Sequence, residues 1–349
     1  MVKGIEMKTV KKTLEIAEQG YFWVGVEKKT LGNNTFAHNA MGVFYQKPVN
    51  SIGQSVVMVH GGGGQGLDFM TTPDGRPGWA QYFLQQGYDV YVVDRPGMGR
   101  SPYNPLADGD FLPSPTYEML QSMMLEPEKR NAYPQAKLHT QWPAGQDTLD
   151  QFMASQGPMP STLARAQEDM ARCGVELLKK IGPAYLITHS MGGPFGWLVA
   201  DRCPKLVKAI MAVEPFGPPF AKGPANTGEL EWGVTAIPMT YVPEAKSASD
   251  ILKVLKKSAE KDTVECYVQQ EPARQLINLK NIPVAIMTGE ASWMAQHNHG
   301  MTEYLQQAGV TAEHLRLENY GIHGNGHMLL IEKNSNEIAN FIHNWFQEK

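Results

Sequence analysis

The segment Thr188-His189-Ser190-Met191-Gly192 follows the apolar run 184–187 and opens a stretch rich in helix formers. No other feature constrains the fold as strongly, because a strand that turns sharply into a helix with serine at the apex is a unit of an α/β sheet and the setting of a G-x-S-x-G elbow. Thr188 stands where the first glycine of that pattern usually does. Serine also favours helix N-caps, so the five residues need support from the rest of the chain.

That support begins with a rhythm of apolar runs. Residues 22–28 and 41–45 alternate enough to form an early hairpin, and further strands are expected at 55–59, 89–93, 184–187, 207–213, 284–288 and 314–317. Helical patterns lie between them, among them 79–87, 161–180 and 335–346. Strands alternating with helices predict a mostly parallel sheet covered on both faces. Two connections are too long for simple crossovers. Residues 102–160, rich in Pro, Met, Gln and Tyr, and residues 217–282, with an amphipathic helix expected over 249–261, both leave C-terminal ends of strands, where open α/β sheets place ligands. Both are expected as lid or cap insertions in a single domain spanning residues 1–349.

A chain of 349 residues with 42% hydrophobic content can bury a large core. The formal charge of -4 provides no basic stripe, so nucleic acid is not expected as a partner. No stretch approaches the roughly 20 apolar residues needed to span a bilayer, and no membrane partner is expected. Residues 1–12 alternate charged and apolar side chains without the pattern of a secretory signal, which points to the cytoplasm. Cys173, Cys203 and Cys266 are odd in number and widely spaced, the pattern of buried thiols and of no metal or disulfide framework.

Ser190 needs a base, because a serine hydroxyl is a poor nucleophile until an imidazole takes its proton and a carboxylate supports that imidazole. His327 lies in a loop after the last expected strand and just before the final helix, in the chain order Ser, acid, His. The cluster Gly61-Gly62-Gly63-Gly64 follows His60 at the end of a strand, and glycines there let main-chain N–H groups approach a developing alkoxide. Gly62 or Gly63, with Met191 immediately after the serine, would complete an oxyanion hole.

The ordered motifs VVMVHGGGG, VVDRPGMGRS, LITHSMGG and GNGHMLLIE, spread over residues 56–332, resemble the α/β-hydrolase superfamily. Within it, VEPFG and GIHGNGHM are similar to bacterial esterases of the esterase 713 type. The resemblance implies the α/β-hydrolase fold with an eight-stranded, mostly parallel sheet flanked by helices, no cofactor or metal, acyl transfer to water, and a homodimer. It carries Asp94 and Gly97 to Gly99 over as scaffold. In many members the acid follows the next strand in a G-x-x-D pattern; here that stretch reads Gly289-Glu290-Ala291-Ser292, with serine at the acid position. Glu214, at the end of the preceding strand, fits the esterase 713 type, and Glu290 stands as its alternative.

The expected activity is hydrolysis of a small-molecule carboxylic ester through Ser190, His327 and Glu214 and an acyl-enzyme. Lactones, amides and thioesters use the same machinery. Two other classes stand beside it. Gly61 to Gly66 satisfies G-x-G-x-x-G, with Asp94 ending the next strand, as in a nicotinamide-binding fold, but that reading leaves Ser190 and His327 unused. A non-catalytic binding protein on a hydrolase fold would usually lack one of the three residues. His323, four residues before His327, has the spacing of a metal pair, but Gly324 and Gly326 break helicity. His60 and His189 are expected to serve by hydrogen bonding. The aromatic and thioether residues of the insertions, such as Tyr117, Met123, Trp142, Phe216, Phe220, Trp232 and Met239, either line an apolar pocket or pack the lid onto the core.

Overall fold

The computed structural model describes residues 13–258 and 262–349; the charged start of the chain, residues 1–12, lies outside the described residues. Eight strands form one sheet: β1 (Ile16–Val24), β2 (Met41–Pro48), β3 (Ser55–Val59), β4 (Asp89–Asp94), β5 (Ala184–His189), β6 (Val207–Val213), β7 (Val284–Thr288) and β8 (Ala312–Arg316). Their order across the sheet is β1-β2-β4-β3-β5-β6-β7-β8. The pairs β1·β2 and β2·β4 are antiparallel, and every pair from β4 to β8 is parallel.

The central strands read as nearly continuous apolar runs because both of their faces are covered. Along β3, Val57 and Val59 join a core with Leu186, Ile210 and Ile286, under Met170 and Leu177 of one helix and Phe195 and Leu198 of another. Val56 and Met58 point the other way, into a core with Ile187, Met211, Met287, Trp79, Phe83 and Ile342. Among the described residues, six α-helices of 7 residues or more supply these layers: α1 (Trp79–Gln85), α2 (Gln146–Ala154), α3 (Leu163–Ile181), α4 (Gly193–Arg202), α5 (Asn298–Gln307) and α6 (Ser335–Gln347). In α3 the buried positions Leu163, Gln167, Met170, Cys173, Gly174, Leu177 and Leu178 recur at helical spacing, and Gly182, with φ of 87°, ends it.

Two expectations from the sequence change. The early hairpin does form, with Phe22 opposite Val43, but its first strand ends at Val24. Gly25 turns the chain at φ of 65° and donates its N–H to Glu176 at 2.7 Å, so Glu27–Leu31 folds back on Asn34–His38 as a separate hairpin. The helix expected over 249–261 is absent among the described residues; 259–261 lie outside them. Ser247 and Asp250 close a single 3₁₀ turn, Ala248–Asp250, and Lys253–Lys256 is a strand paired with Cys266–Gln269. The alternation of Leu252 with Val254 suits a strand as well as the spacing of Ile251 and Leu255 suits a helix, and short apolar runs do not separate the two.

The parallel strands end on one edge. Register places Val59 beside Thr188, and Val213 between His189 and Met287, so the residues just past β3, β5, β6 and β7 meet there.

Candidate active site

Ser190 sits at that edge in the left-handed region, at φ of 50°, an unfavourable conformation for a residue with a Cβ. The turn is held by close approach. A Cβ on Gly192 would lie 2.5 Å from the carbonyl oxygen of His60, and one on Gly193 would lie 2.9 Å from Pro215. The Phe216 N–H donates to the Ser190 carbonyl at 2.9 Å, which ties the elbow to the segment after β6. Among the described residues the Ser190 hydroxyl has no hydrogen-bond partner in the resting fold.

His327 comes from the loop before α6 and is fully buried. Its Nδ1 is hydrogen-bonded to Oε2 of Glu214 at 3.1 Å. Its ring lies against Trp293, with centroids 4.1 Å apart, and against His189 at 4.8 Å. The Nε2–H of His189 in turn donates to the His327 carbonyl at 3.0 Å, so the residue beside the serine fixes the backbone that carries the imidazole.

Glu214 follows β6 at φ of 49°, with no exposed surface. Its Oε1 accepts the Gly289 N–H at 2.7 Å, and Oε2 accepts the Ser292 hydroxyl as well as His327. Burial pushes the carboxyl up to about 8 against the Ser292 and Gly289 donors, and pushes the His327 imidazole down to about 3. Both shifts favour neutral forms, so the pair holds at most one shared proton near neutrality. Ser292, standing where the G-x-x-D pattern has its aspartate, serves the carboxylate from the neighbouring strand.

Glu290 is engaged elsewhere. Its carboxylate accepts the Gly324 N–H at 2.6 Å and faces His323 Nδ1 at 3.2 Å, on the half-exposed outer side of the loop. Of the two candidate acids, only Glu214 is bonded to His327. His323 is thereby accounted for by its hydrogen bond to Glu290, and among the described residues no group of three His, Cys, Asp or Glu is arranged to hold a metal.

The glycine cluster lies against the elbow. A Cβ on Gly61 would come within 2.9 Å of the Ser190 Cβ, and one on Gly62 within 2.9 Å of Met191. The Gly63 carbonyl accepts the Gly157 N–H at 2.7 Å, while neither the Gly62 nor the Gly63 N–H donates to another group of the described fold. His60 supports the loop, its Nε2 accepting the Arg95 N–H at 3.0 Å and its Nδ1 bonding the Gly61 carbonyl at 2.9 Å.

The alpha/beta hydrolase fold family model matches residues 54–236, from β3 through the segment that follows Glu214. The chain belongs to the α/β-hydrolase family. A curated relative, "Probable secreted lipase phiG" of Fungal sp. (strain ATCC 74256), is 40% identical over 300 residues, covering 84% of this chain and 82% of that one. A solved structure described as a novel bacterial esterase superposes with a TM-score of 0.60 at 21% identity, covering 98% of each chain, and shares the fold. The cytoplasmic location expected from the start of the chain is corrected by the fungal relative, which is named as secreted. Among the described residues no helix is long and apolar enough to cross a membrane.

Membership also accounts for the scaffold loop. The Asp94 carboxylate accepts the Gly66 N–H at 2.6 Å and pairs with Arg100, and the Ser101 hydroxyl donates to the Asp94 carbonyl at 2.6 Å. Both carboxylate oxygens are thus engaged within the fold, and Asp94 is fully buried, out of reach of a ribose. The glycine cluster opens only a 3₁₀ turn, Gly66–Phe69, so the nicotinamide reading loses both of its supports. Of the insertion residues, Trp142, Phe220, Trp232 and Met239 are buried in the two cores, and so pack the insertions onto the sheet. Trp293, Ser292 as a donor, and Arg95 were not singled out as site residues by the sequence. Only Ser292 carried a signal, as the residue at the usual acid position.

Proposed function

We propose that this carboxylic ester hydrolase works through Ser190, His327 and Glu214. Ser190 attacks the acyl carbonyl while Nε2 of His327 takes its proton; Glu214, bonded to Nδ1, fixes the tautomer and stabilises the imidazolium. The N–H groups of Met191 and of Gly62 or Gly63 hold the oxyanion. His327 then returns the proton to the leaving alcohol. Water, activated by the same nitrogen, attacks the acyl-enzyme and releases the acid and free Ser190.

The observation that carries this reading is the buried bond between His327 and Glu214 beside a serine strained into an elbow, with Glu290 engaged at the surface. The insertions 102–160 and 217–282 wall the substrate site. That the fungal relative is named a lipase supports lipid esters as a substrate class.

Initial rates on p-nitrophenyl esters of graded acyl length, with chelator present and no cofactor added, test it. Ser190→Ala is expected to lower kcat by at least about a thousand-fold and Glu214→Gln by a comparable factor, while Glu290→Gln stays within a few-fold of wild type. Full activity in Ser190→Ala, or loss in Glu290→Gln with Glu214→Gln active, would overturn the assignment.

A further inference from the structure

Arg95 is the first residue after β4 and is 4% exposed. Its main-chain N–H is bonded to His60, which places its side chain beneath the elbow. There Nη1 donates to the Met191 carbonyl at 2.9 Å. The other neighbours are thioethers: Met98 Sδ lies 3.0 Å from Nη2 and Met170 Sδ 3.8 Å from Nη1. Nε is buried with no partner. The adjacent Asp94 is turned away to Arg100 and Gly66. Among the described residues no carboxylate forms an ion pair with Arg95.

A buried cation without a counter-charge is costly, and a chain gains nothing in stability by keeping one. Burial lowers the guanidinium only to about 10, so it stays charged at neutral pH. What it touches is Met191, the residue whose N–H is the proposed oxyanion donor. In a desolvated setting a fixed positive charge one residue from a developing negative charge acts strongly and needs no reorganisation.

We propose that Arg95 is a positioning residue for acyl transfer: it fixes Met191 by its carbonyl and supplies, from behind the elbow, the positive charge that the tetrahedral oxyanion lacks in the resting site. The inference rests on Ser190 being the nucleophile. The missing counter-charge of Arg95 is thus the transition state itself, which explains why thioethers rather than a carboxylate surround it. A resident carboxylate would cancel the field at the oxyanion.

The test uses Arg95→Lys, Arg95→Gln and Arg95→Met in the full chain, with kcat and KM on one p-nitrophenyl ester. Thermal midpoints, and inhibition by a trifluoromethyl ketone that forms an anionic adduct with serine, complete it. Arg95→Gln and Arg95→Met are expected to lower kcat about ten- to a hundred-fold with KM within about three-fold, and to weaken the inhibitor by the same factor. Arg95→Lys retains most of both. Arg95→Met is expected to melt no lower than wild type, since an apolar side chain replaces an unpaired charge among methionines. Should Arg95→Met not fold, Arg95→Gln against Arg95→Lys decides alone. Unchanged kcat in the neutral variants, or kcat losses in all three that track a lowered midpoint, would overturn the proposal. Failure of the underlying reading is distinct: Ser190→Ala would then stay active and wild type would not bind the ketone.

Discussion

Ser190 and Glu214 are each the first residue past a parallel strand, and both occupy the left-handed region that residues with a Cβ avoid. Each is held there by neighbours, Ser190 by the glycine contacts beneath the elbow and Glu214 by three donors on its carboxylate. The titration of the Glu214–His327 pair follows from that burial. In the proposed mechanism His327 accepts the serine proton only when the pair carries no shared proton, so kcat/KM is expected to rise with pH as the proton is lost. The Ser292 hydroxyl favours the ionised carboxylate. Ser292→Ala removes that donor, the pair keeps its proton to higher pH, and the acidic limb moves toward alkaline pH, with kcat on the plateau falling no more than about ten-fold. A kcat/KM profile measured from about pH 5 to about pH 10 checks the sign; a limb displaced toward acid would refute it.

At the scale of elements, the site is a set of strand ends brought together by register, and the contacts between those ends decide which side chains can sit there. The elbow between β5 and α4 tolerates nothing larger than hydrogen at Gly192, where a Cβ would meet two main-chain oxygens, of His60 at 2.5 Å and of Val59 at 3.0 Å. Gly192→Ala therefore has to move β3 or the elbow. It is expected to destabilise by about 1–3 kcal/mol and to cost most of the activity. Gly157→Ala, where no atom lies within 4 Å of the added methyl, is the control and should match wild type in both melting and kcat. The same distinction explains what the sequence disclosed. Strands β3, β5, β6 and β7 were legible because burial on both faces makes them continuous apolar runs, and Ser190, His327 and the glycine cluster because motif order tracks strand order. Lys253–Lys256 was not, since all four of its residues are exposed and no burial pattern selects one period. Glu214 was separable from Glu290 only by resemblance: both end a strand, and which one meets His327 depends on where Gly324 turns its N–H. Arg95 and Trp293 left no trace, because their roles arise from contacts with Met191 and His327 across the sheet.

Across the whole molecule, the segment 102–160 is fastened to the loop that carries His327. The Thr140 N–H donates to the Gly324 carbonyl at 3.0 Å, and the Lys333 N–H to the Gln141 carbonyl at 2.8 Å. Arg76 spans the far side of the loop with bonds to the carbonyls of Ile331, Glu332 and Lys333, each at 3.0 Å. At the centre, His139 is buried between two carboxylates, with Nδ1 3.2 Å from Glu128 and Nε2 3.0 Å from Glu332. Glu332 also accepts the N–H of Gly326, next to His327, at 2.9 Å. Both ring nitrogens face carboxylate oxygens, an arrangement that favours the imidazolium form of His139. Burial pushes its pKa down, but the bonds and charges of Glu332 and Glu128 outweigh it and the net shift is upward. A histidine raised on folding contributes stability that is complete below its unfolded value of about 6.5 and is lost as pH rises through the folded value. His139→Gln keeps one donor and loses the charge. It is expected to destabilise by about 3 kcal/mol at mildly acidic pH, with the gap to wild type narrowing as pH rises past the folded value. Thermal midpoints of the two proteins at about pH 6 and about pH 9 measure this gap, and a gap that widens with pH would show that His139 is buried neutral. Because the clasp joins the insertion to the loop of the imidazole, its loosening should also reach the chemistry: kcat in His139→Gln should fall furthest below wild type at mildly acidic pH, and the two should converge as pH rises past the folded value.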